Sequence, residues 1–174
     1  MNQSGRLEAG PTLRATIERT IVPTGLSYDA LVTGFERELG QLDAAAANRL
    51  VERKAPWSEV EREIARMAGR HGLMIIFRAN QGGITSLSGR VKRCSLYIVG
   101  NPVIANQIID IDLRASLYVP FRVCLYDDAS PSGATISYDR PSSFLAALGR
   151  PELGEIGTLL DRKIDGVVAA LREI

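Results

Sequence analysis

Residues 92–102 read KRCSLYIVGNP, and they combine a strand, a turn and the start of a helix. The aliphatic and aromatic run 92–99 predicts a strand. Asn101 is well suited to cap a helix, and Pro102 favours the first helical position after the cap. Apolar residues at helical spacing then continue to Ile111. The stretch therefore predicts a strand that passes directly into a capped helix.

The flanking sequence predicts strands and helices in a mixed order. Strands are expected at 15–22, 73–79, 120–126 and 134–138 as well as 92–99. Helices are expected at 28–39 after the Ser27 cap, at 42–54, from a Ser58–Glu61 capping box to His71, at 102–111, at 141–148 and at 153–172. The Gly- and Ser-rich stretch from Gln81 to Gly89 is expected to be a loop.

Most of these strands follow one another in the chain without a helix between them. That order favours an antiparallel sheet with helices on one face, which is an α+β fold. Residues 1–13 carry Gly, Pro and Ser without periodicity and are expected to form a flexible N-terminal arm. Residues 14–174 are expected to form a single α+β domain.

Composition and charge limit the partners that we expect. The chain has 174 residues, of which 45% are hydrophobic, and its net charge is +1. The densest basic cluster is Arg90, Lys92 and Arg93, which is too short for a nucleic-acid interface. No stretch predicts a signal peptide or a membrane span. With Cys94 and Cys124 expected as free thiols, we predict a cytoplasmic protein without nucleic-acid or membrane partners.

Catalytic candidates are few, and each has a simpler structural explanation. His71, the only histidine, precedes a glycine, which favours a contact with helix-end carbonyls over catalysis. Cys94 and Cys124 fall within strands, which favours buried thiols over nucleophiles.

Two acidic pairs and one glycine-rich loop could bind ions. Asp110 with Asp112, and Asp127 with Asp128, could bind magnesium, but their places at a helix end and a hairpin loop favour solvated carboxylates. Gly82-Gly83 could bind an anion through backbone amides, although a mobile loop is the simpler interpretation.

Strand alternation gives the ligand-site hypothesis. In 73–79, Arg78 is expected on the face opposite Leu73, Ile75 and Phe77. In 121–126, Arg122 and Tyr126 are expected opposite the apolar set. We therefore predict that Arg78, Arg122, Tyr126 and Asn101 bind a ligand in a common cleft. The alternative is an exposed sheet face with solvated arginines.

Several short motifs occur together in a distinctive order. They are Gly100-Asn101-Pro102, Val119-Pro120-Phe121-Arg122, Asp127-Asp128 and Ser137-Tyr138. In this order they resemble the family known as domain of unknown function 302. The resemblance implies a TBP-like β-α-β4-α core and a homodimer, to which this chain adds two inserted helices across 41–70. Relatives often carry a histidine after the second strand, but residues 78–81 contain none, so we expect no metal and no other cofactor.

These observations lead to a homodimeric small-ligand-binding or accessory module, with an anionic metabolite as the ligand class. An alternative is a cofactor-free enzyme of the isomerase or cyclase type acting on a small organic metabolite. Its acid–base groups would come from Tyr97, Tyr126, Tyr138 or Asp110. A third possibility is a purely structural interaction domain.

Overall fold

The computed structural model of the protein describes residues 12–173 and contains a sheet of six strands. The strands are β1 (Arg19–Pro23), β2 (Gly40–Gln41), β3 (Met74–Ala79), β4 (Arg93–Gly100), β5 (Phe121–Asp127) and β6 (Thr135–Asp139). Their order in the sheet is β1-β6-β5-β4-β3-β2. All neighbours are antiparallel except β2 and β3, which are parallel. The predicted arm, residues 1–13, lies outside the described residues apart from Thr12 and Leu13.

Within residues 12–173, seven α-helices lie between the strands or after the last strand. They are α1 (Tyr28–Glu38), α2 (Ala44–Glu52), α3 (Trp57–Met67), α4 (Gln81–Ser86), α5 (Pro102–Ile111), α6 (Pro141–Ala146) and α7 (Pro151–Leu171), with a 3-10 helix at Leu113–Leu117. The long helix α7 contacts α1, α5 and α6. The mixed fold, with a mostly antiparallel sheet and helices packed on it, confirms the predicted α+β class.

Local sequence signals gave most of the elements correctly. Ser27 caps α1, Asp43 caps α2 and Asn101 caps α5, each by accepting a hydrogen bond from a backbone amide of the first turn. The predicted stretch 42–54 contains α2, and the predicted stretch 153–172 closely matches α7. The predicted Ser27 and Asn101 caps therefore formed, because a cap depends only on the residues of the first turn.

Two local predictions were wrong, and one short strand was missed. The Ser58–Glu61 capping box does not form, because α3 already begins at Trp57 after Pro56 and Ser58 lies inside its first turn. The expected loop after β3 contains α4, which Asn80 caps through the backbone amide of Gly83. Strand β2 was not predicted, because its two residues are defined by pairing with β3 and not by their own pattern.

The register between β3 and β4 contains a bulge. Ile75 pairs with Val99, and the next pair joins Phe77 to Ile98, so that Ile76 is left without a partner. A bulge inserts one residue and reverses the facing of the strand beyond it. Phe77 therefore lies on the same face as Ile98, whereas Arg78 shares a face with Tyr97.

The core lies between the helices and one face of the sheet. The inward residues of the two central strands, among them Tyr97, Val99, Val123 and Leu125, are fully buried. Helix α1 contributes Phe35, whose ring meets the Tyr97 ring edge-on at 5.0 Å between centroids. Helix α7 adds a stripe of buried residues: Leu153, Leu160, Ile164, Val167 and Leu171. None of the helices between residues 12 and 173 combines the length and apolar character needed to cross a membrane.

A buried carboxylate joins the short helix α6 to α7. Asp161 of α7 is 4% exposed and accepts hydrogen bonds from the backbone amide and the hydroxyl of Ser142. It also lies 3.2 Å from the guanidinium of Arg140. Gly157 permits the close approach, since a Cβ there would lie 2.6 Å from the Ser142 Cα. Asp161 thus supplies the hydrogen-bond acceptor for the first turn of α6, whose own N-cap residue makes no side-chain hydrogen bond to it.

We expect Asp161→Ala to lower the free energy of unfolding by about 2 to 3 kcal/mol, because it leaves the half-buried amide and hydroxyl of Ser142 without an acceptor. Urea denaturation at fixed protein concentration measures this change. Glu155→Ala, at an exposed position of the same helix, is the control and should change stability by less than about 0.5 kcal/mol. Equal effects of the two substitutions would contradict the anchoring role of Asp161.

Candidate functional site

A cavity of about 210 Å³ lies where β4 ends and β5 begins, and it is partly open to the surface. Its wall comes from the bulged residue of β3, the turn before α5, one side of α5, the segment before β5 and one residue of α7. The main apolar contributors are Ile76, Ile104, Ala105, Ile108, Val119 and Leu160. Within the described part of the chain, Asn101 is the one lining residue with a polar side chain. The arrangement suits an apolar molecule.

The cavity depends on a small residue and on the bulge. A Cβ placed on Gly100 would lie 2.9 Å from the Pro120 Cβ and 3.5 Å from the Ile76 Cδ1. The absence of a side chain at Gly100 therefore keeps this part of the cavity empty. Ile76, which the bulge leaves without a partner in the ladder, also lines the cavity.

Asn101, predicted to bind a ligand, lines this cavity but uses its amide within the protein. Its Oδ1 accepts hydrogen bonds from the backbone amides of Val103 and Ile104, at 2.8 Å and 3.4 Å. Its Nδ2 donates to the carbonyl oxygen of Gly72 at 2.9 Å. The side chain therefore caps α5 and joins it to the turn before β3.

Arg78 lies on the helix-covered face of the sheet. Its Nη1 is 2.7 Å from the Glu36 Oε1 of α1, and its guanidinium carbon lies 5.6 Å from the centroid of the Tyr97 ring. The ion pair and the cation–π contact satisfy the charge at this place. Arg78 does not line the apolar cavity.

Arg122 lies on the opposite, open face, so that the predicted common cleft for the two arginines does not exist. Arg122 pairs across the strands with Ile98, which shares its face with Phe77. The bulge at Ile76 is the reason for the error, since strict alternation along β3 would have put Arg78 beside Arg122. Among residues 12–173, Arg122 forms no ion pair.

The open face carries a shallow groove of about 500 Å³. The middle row of this sheet face runs across five strands as Ile21, Ser137, Cys124, Leu96 and Ala79. Tyr126 lies on the next row beside Cys94, so that the structure brings Tyr126 and Arg122 to one groove while Asn101 and Arg78 lie elsewhere. Cys94 and Cys124 are both free, and burial raises the pKa of the Cys124 thiol, with a smaller contribution from Cys94.

The acid–base candidates of the enzyme alternative do not line the cavity. The hydroxyl of Tyr97 donates to Glu36 and that of Tyr138 donates to Asp165, each at 2.7 Å. Burial raises the pKa of both phenols well above the ordinary value, and the hydrogen bond to the carboxylate raises it further. Asp110 is exposed and accepts a hydrogen bond from Asn106 at 3.0 Å. Because these two phenols keep their protons far above neutral pH, they are poorly suited to act as acid–base groups near pH 7.

The single histidine contacts a buried carboxylate instead of a helix end. Helix α3 ends at Met67, and the His71 Nε2 lies 3.6 Å from the Oε2 of Glu38, which is 6% exposed. Neither atom has a hydrogen bond among the described residues. His71 is joined to α7 through its backbone, because Lys163 Nζ donates to its carbonyl oxygen. The predicted capping of carbonyls by the imidazole is therefore wrong.

The cavity itself was not predicted from the sequence. Gly100 was expected only in the turn between the strand 92–99 and the helix that begins at Pro102. The one available signal was a pair of small residues, Gly100 and Ala105, on either side of the Asn101 cap. Glycine and alanine also occur in ordinary turns and helices. This pair therefore indicates a cavity only when the tertiary structure places Ile76 and Leu160 beside it.

Comparisons with known proteins agree on one family. A family model described as domain of unknown function DUF302 matches residues 50–171. A solved structure described as that of an uncharacterized conserved DUF302 protein from Bacillus stearothermophilus is similar, with a TM-score of 0.62 and 12% sequence identity. The alignment covers 88% of this chain and 98% of that chain, and at this identity it shows a shared fold. No curated protein matches the chain.

Tyr97 and Tyr138 should ionise only well above pH 10, the ordinary range for a phenol. Because the folded protein holds these protons more tightly, their contribution to stability is fully present below about pH 10 and is lost as the pH rises through the raised pKa values. Ultraviolet titration of phenolate absorbance measures this. Tyr97→Phe and Tyr138→Phe should each remove only the part of the absorbance increase that occurs at the highest pH. A variant that lacks part of the increase already near pH 10 would contradict the assignment.

Proposed function

This chain belongs to the DUF302 family, and from that premise we propose that it is a homodimeric module that binds a small molecule without transforming it. The observation that carries the proposal is the apolar cavity of about 210 Å³ beside α5. Protein interiors rarely leave voids larger than a water molecule. A partly open apolar cavity of this size has room for a small organic molecule.

The geometry of the site supports binding over catalysis. The cavity wall has no acid, base or nucleophile among its described residues, and Tyr97, Tyr126, Tyr138 and Asp110 all lie elsewhere. An acid–base reaction needs such a group within hydrogen-bond reach of the substrate. The enzyme alternative therefore has no observation that favours it over simple binding.

The open sheet face supports the homodimer. Ile21 and Phe77 are 58% and 56% exposed there, and Leu96 lies between them in the sheet. Exposed apolar surface of this kind is typical of interaction sites. A second copy packed face to face would cover this surface.

A cytoplasmic location stays part of the proposal. It rests on the composition of the sequence and on the two thiols, Cys94 and Cys124, which are free. Proteins of oxidising compartments more often pair their cysteines.

Binding at the cavity is tested by methyl NMR. The δ1 methyl groups of Ile76, Ile104 and Ile108 should shift saturably when a panel of ring-sized organic molecules, charged and uncharged, is added one compound at a time. The exposed Ile84 is the control methyl group and should not shift. A panel in which no compound shifts the three cavity methyl groups would contradict the proposed function.

The homodimer is tested by light scattering after size exclusion at micromolar concentration. We expect a mass twice that of the 18.9 kDa chain. Ile21→Glu should yield the monomer mass because it places a charge in the middle row of the open face. Val51→Glu, a similar change at an exposed position on α2, is the control and should leave the dimer intact. A monomer mass for the unaltered protein would contradict the homodimer.

A further inference from the structure

We propose that the cavity beside α5 selects an uncharged hydrocarbon group of about the size of one aromatic ring and excludes carboxylates of the same shape. This inference rests on the proposed function, since it names the ligand class of the same site. It departs from the anionic ligand that the arginines suggested, because neither Arg78 nor Arg122 lines this cavity.

The volume sets the size of the ligand. An apolar cavity of about 150 Å³ in another protein binds benzene. Scaled to the 210 Å³ found here, the cavity accommodates about eight carbon atoms. A toluene or ethylbenzene molecule, or a branched hydrocarbon of similar length, fits this limit, whereas a fused three-ring system does not. The class is therefore an aromatic ring or a short branched hydrocarbon group.

The polar atoms near the cavity already have hydrogen-bond partners within the protein, and this favours an uncharged ligand. The first free amides of α5 would ordinarily attract an anion. Here the Asn101 Oδ1 accepts from the amides of Val103 and Ile104, and its Nδ2 is held by Gly72. Pro102 has no amide hydrogen to offer. A carboxylate inside the cavity would therefore lose its hydration without gaining a partner, which is strongly unfavourable.

Two small residues determine how much of the cavity stays open. Because Gly100 has no side chain, the space between Pro120 and Ile76 stays open. A Cβ on Gly100 would lie 2.9 Å from the Pro120 Cβ and 3.5 Å from the Ile76 Cδ1. Ala105 lines the cavity from α5, among the larger side chains of Ile104 and Ile108. A larger side chain at Ala105 would occupy the volume that the ligand needs while remaining apolar. Ala105 is therefore a residue that determines the size limit.

The experiment compares ligands of matched shape on the full-length protein. Toluene and benzoate are titrated separately at neutral pH while the δ1 methyl shifts of Ile76, Ile104 and Ile108 are followed. We expect toluene to bind at least about 100-fold more tightly than benzoate, because only benzoate must give up the hydration of a charge. Ala105→Leu should weaken toluene binding at least tenfold, and the smaller change Ala105→Val should weaken it less. Ala45→Leu, at an exposed alanine of α2, is the matched control and should leave toluene binding unchanged.

The outcomes separate this inference from the proposed function. Benzoate binding as tight as toluene, with shifts at the same methyl groups, would overturn the charge selectivity and leave the binding function intact. Toluene binding that Ala105→Leu leaves unchanged, in a folded variant, would overturn the assignment of the ligand to this cavity. If neither toluene nor benzoate shifts the three methyl groups, this inference fails, and failure of the wider panel as well would remove the binding function.

Discussion

The antiparallel ladder between β4 and β5 is the contact on which the rest of the structure depends. It joins seven residue pairs at the centre of the sheet. Because side chains alternate along both strands, the ladder places Tyr97, Val99, Val123 and Leu125 on one fully buried face. Helices α1 and α7 pack on that face, and β3 and β6 extend the sheet on either side. The same alternation leaves the other face with a mixture of apolar and polar side chains, among them the exposed Phe77 and Arg122.

The bulge at Ile76 changes this regular pattern at one place, and it has two consequences for the site. It turns Arg78 toward the helix layer, where Glu36 and Tyr97 satisfy the guanidinium. It also frees Ile76 from the ladder and directs its side chain to the cavity beside Gly100. One inserted residue therefore separates the two arginines onto opposite faces and helps to build the apolar cavity. Bulges commonly have such a role beside functional sites.

Hydrogen bonding inside the protein explains why the cavity is apolar although it adjoins a helix N-terminus. Asn101 uses both ends of its amide within the chain, one on α5 and the other on Gly72. Other polar side chains also form hydrogen bonds within the protein. Asp161 accepts a hydrogen bond from Ser142, and Glu36 accepts one from the hydroxyl of Tyr97. The partial exception is the contact between Glu38 and His71, whose facing atoms have no hydrogen bond among the described residues. Polar groups in this protein thus mainly hold its elements together, and the space left beside α5 is lined by hydrocarbon.

The sequence by itself determined the elements whose signals are local. The caps Ser27 and Asn101, the apolar stripe of α7 and the alternation of β4 and β5 each act within a few residues, and the α+β class followed from their order. The tertiary structure alone decided the bulge at Ile76, the pairing of β2 and the identity of the cavity. These features depend on which backbone groups pair across strands and on how distant side chains fill space. Of the four predicted ligand residues, only Asn101 reaches the cavity, because strand alternation predicts a shared face only where the ladder has no inserted residue.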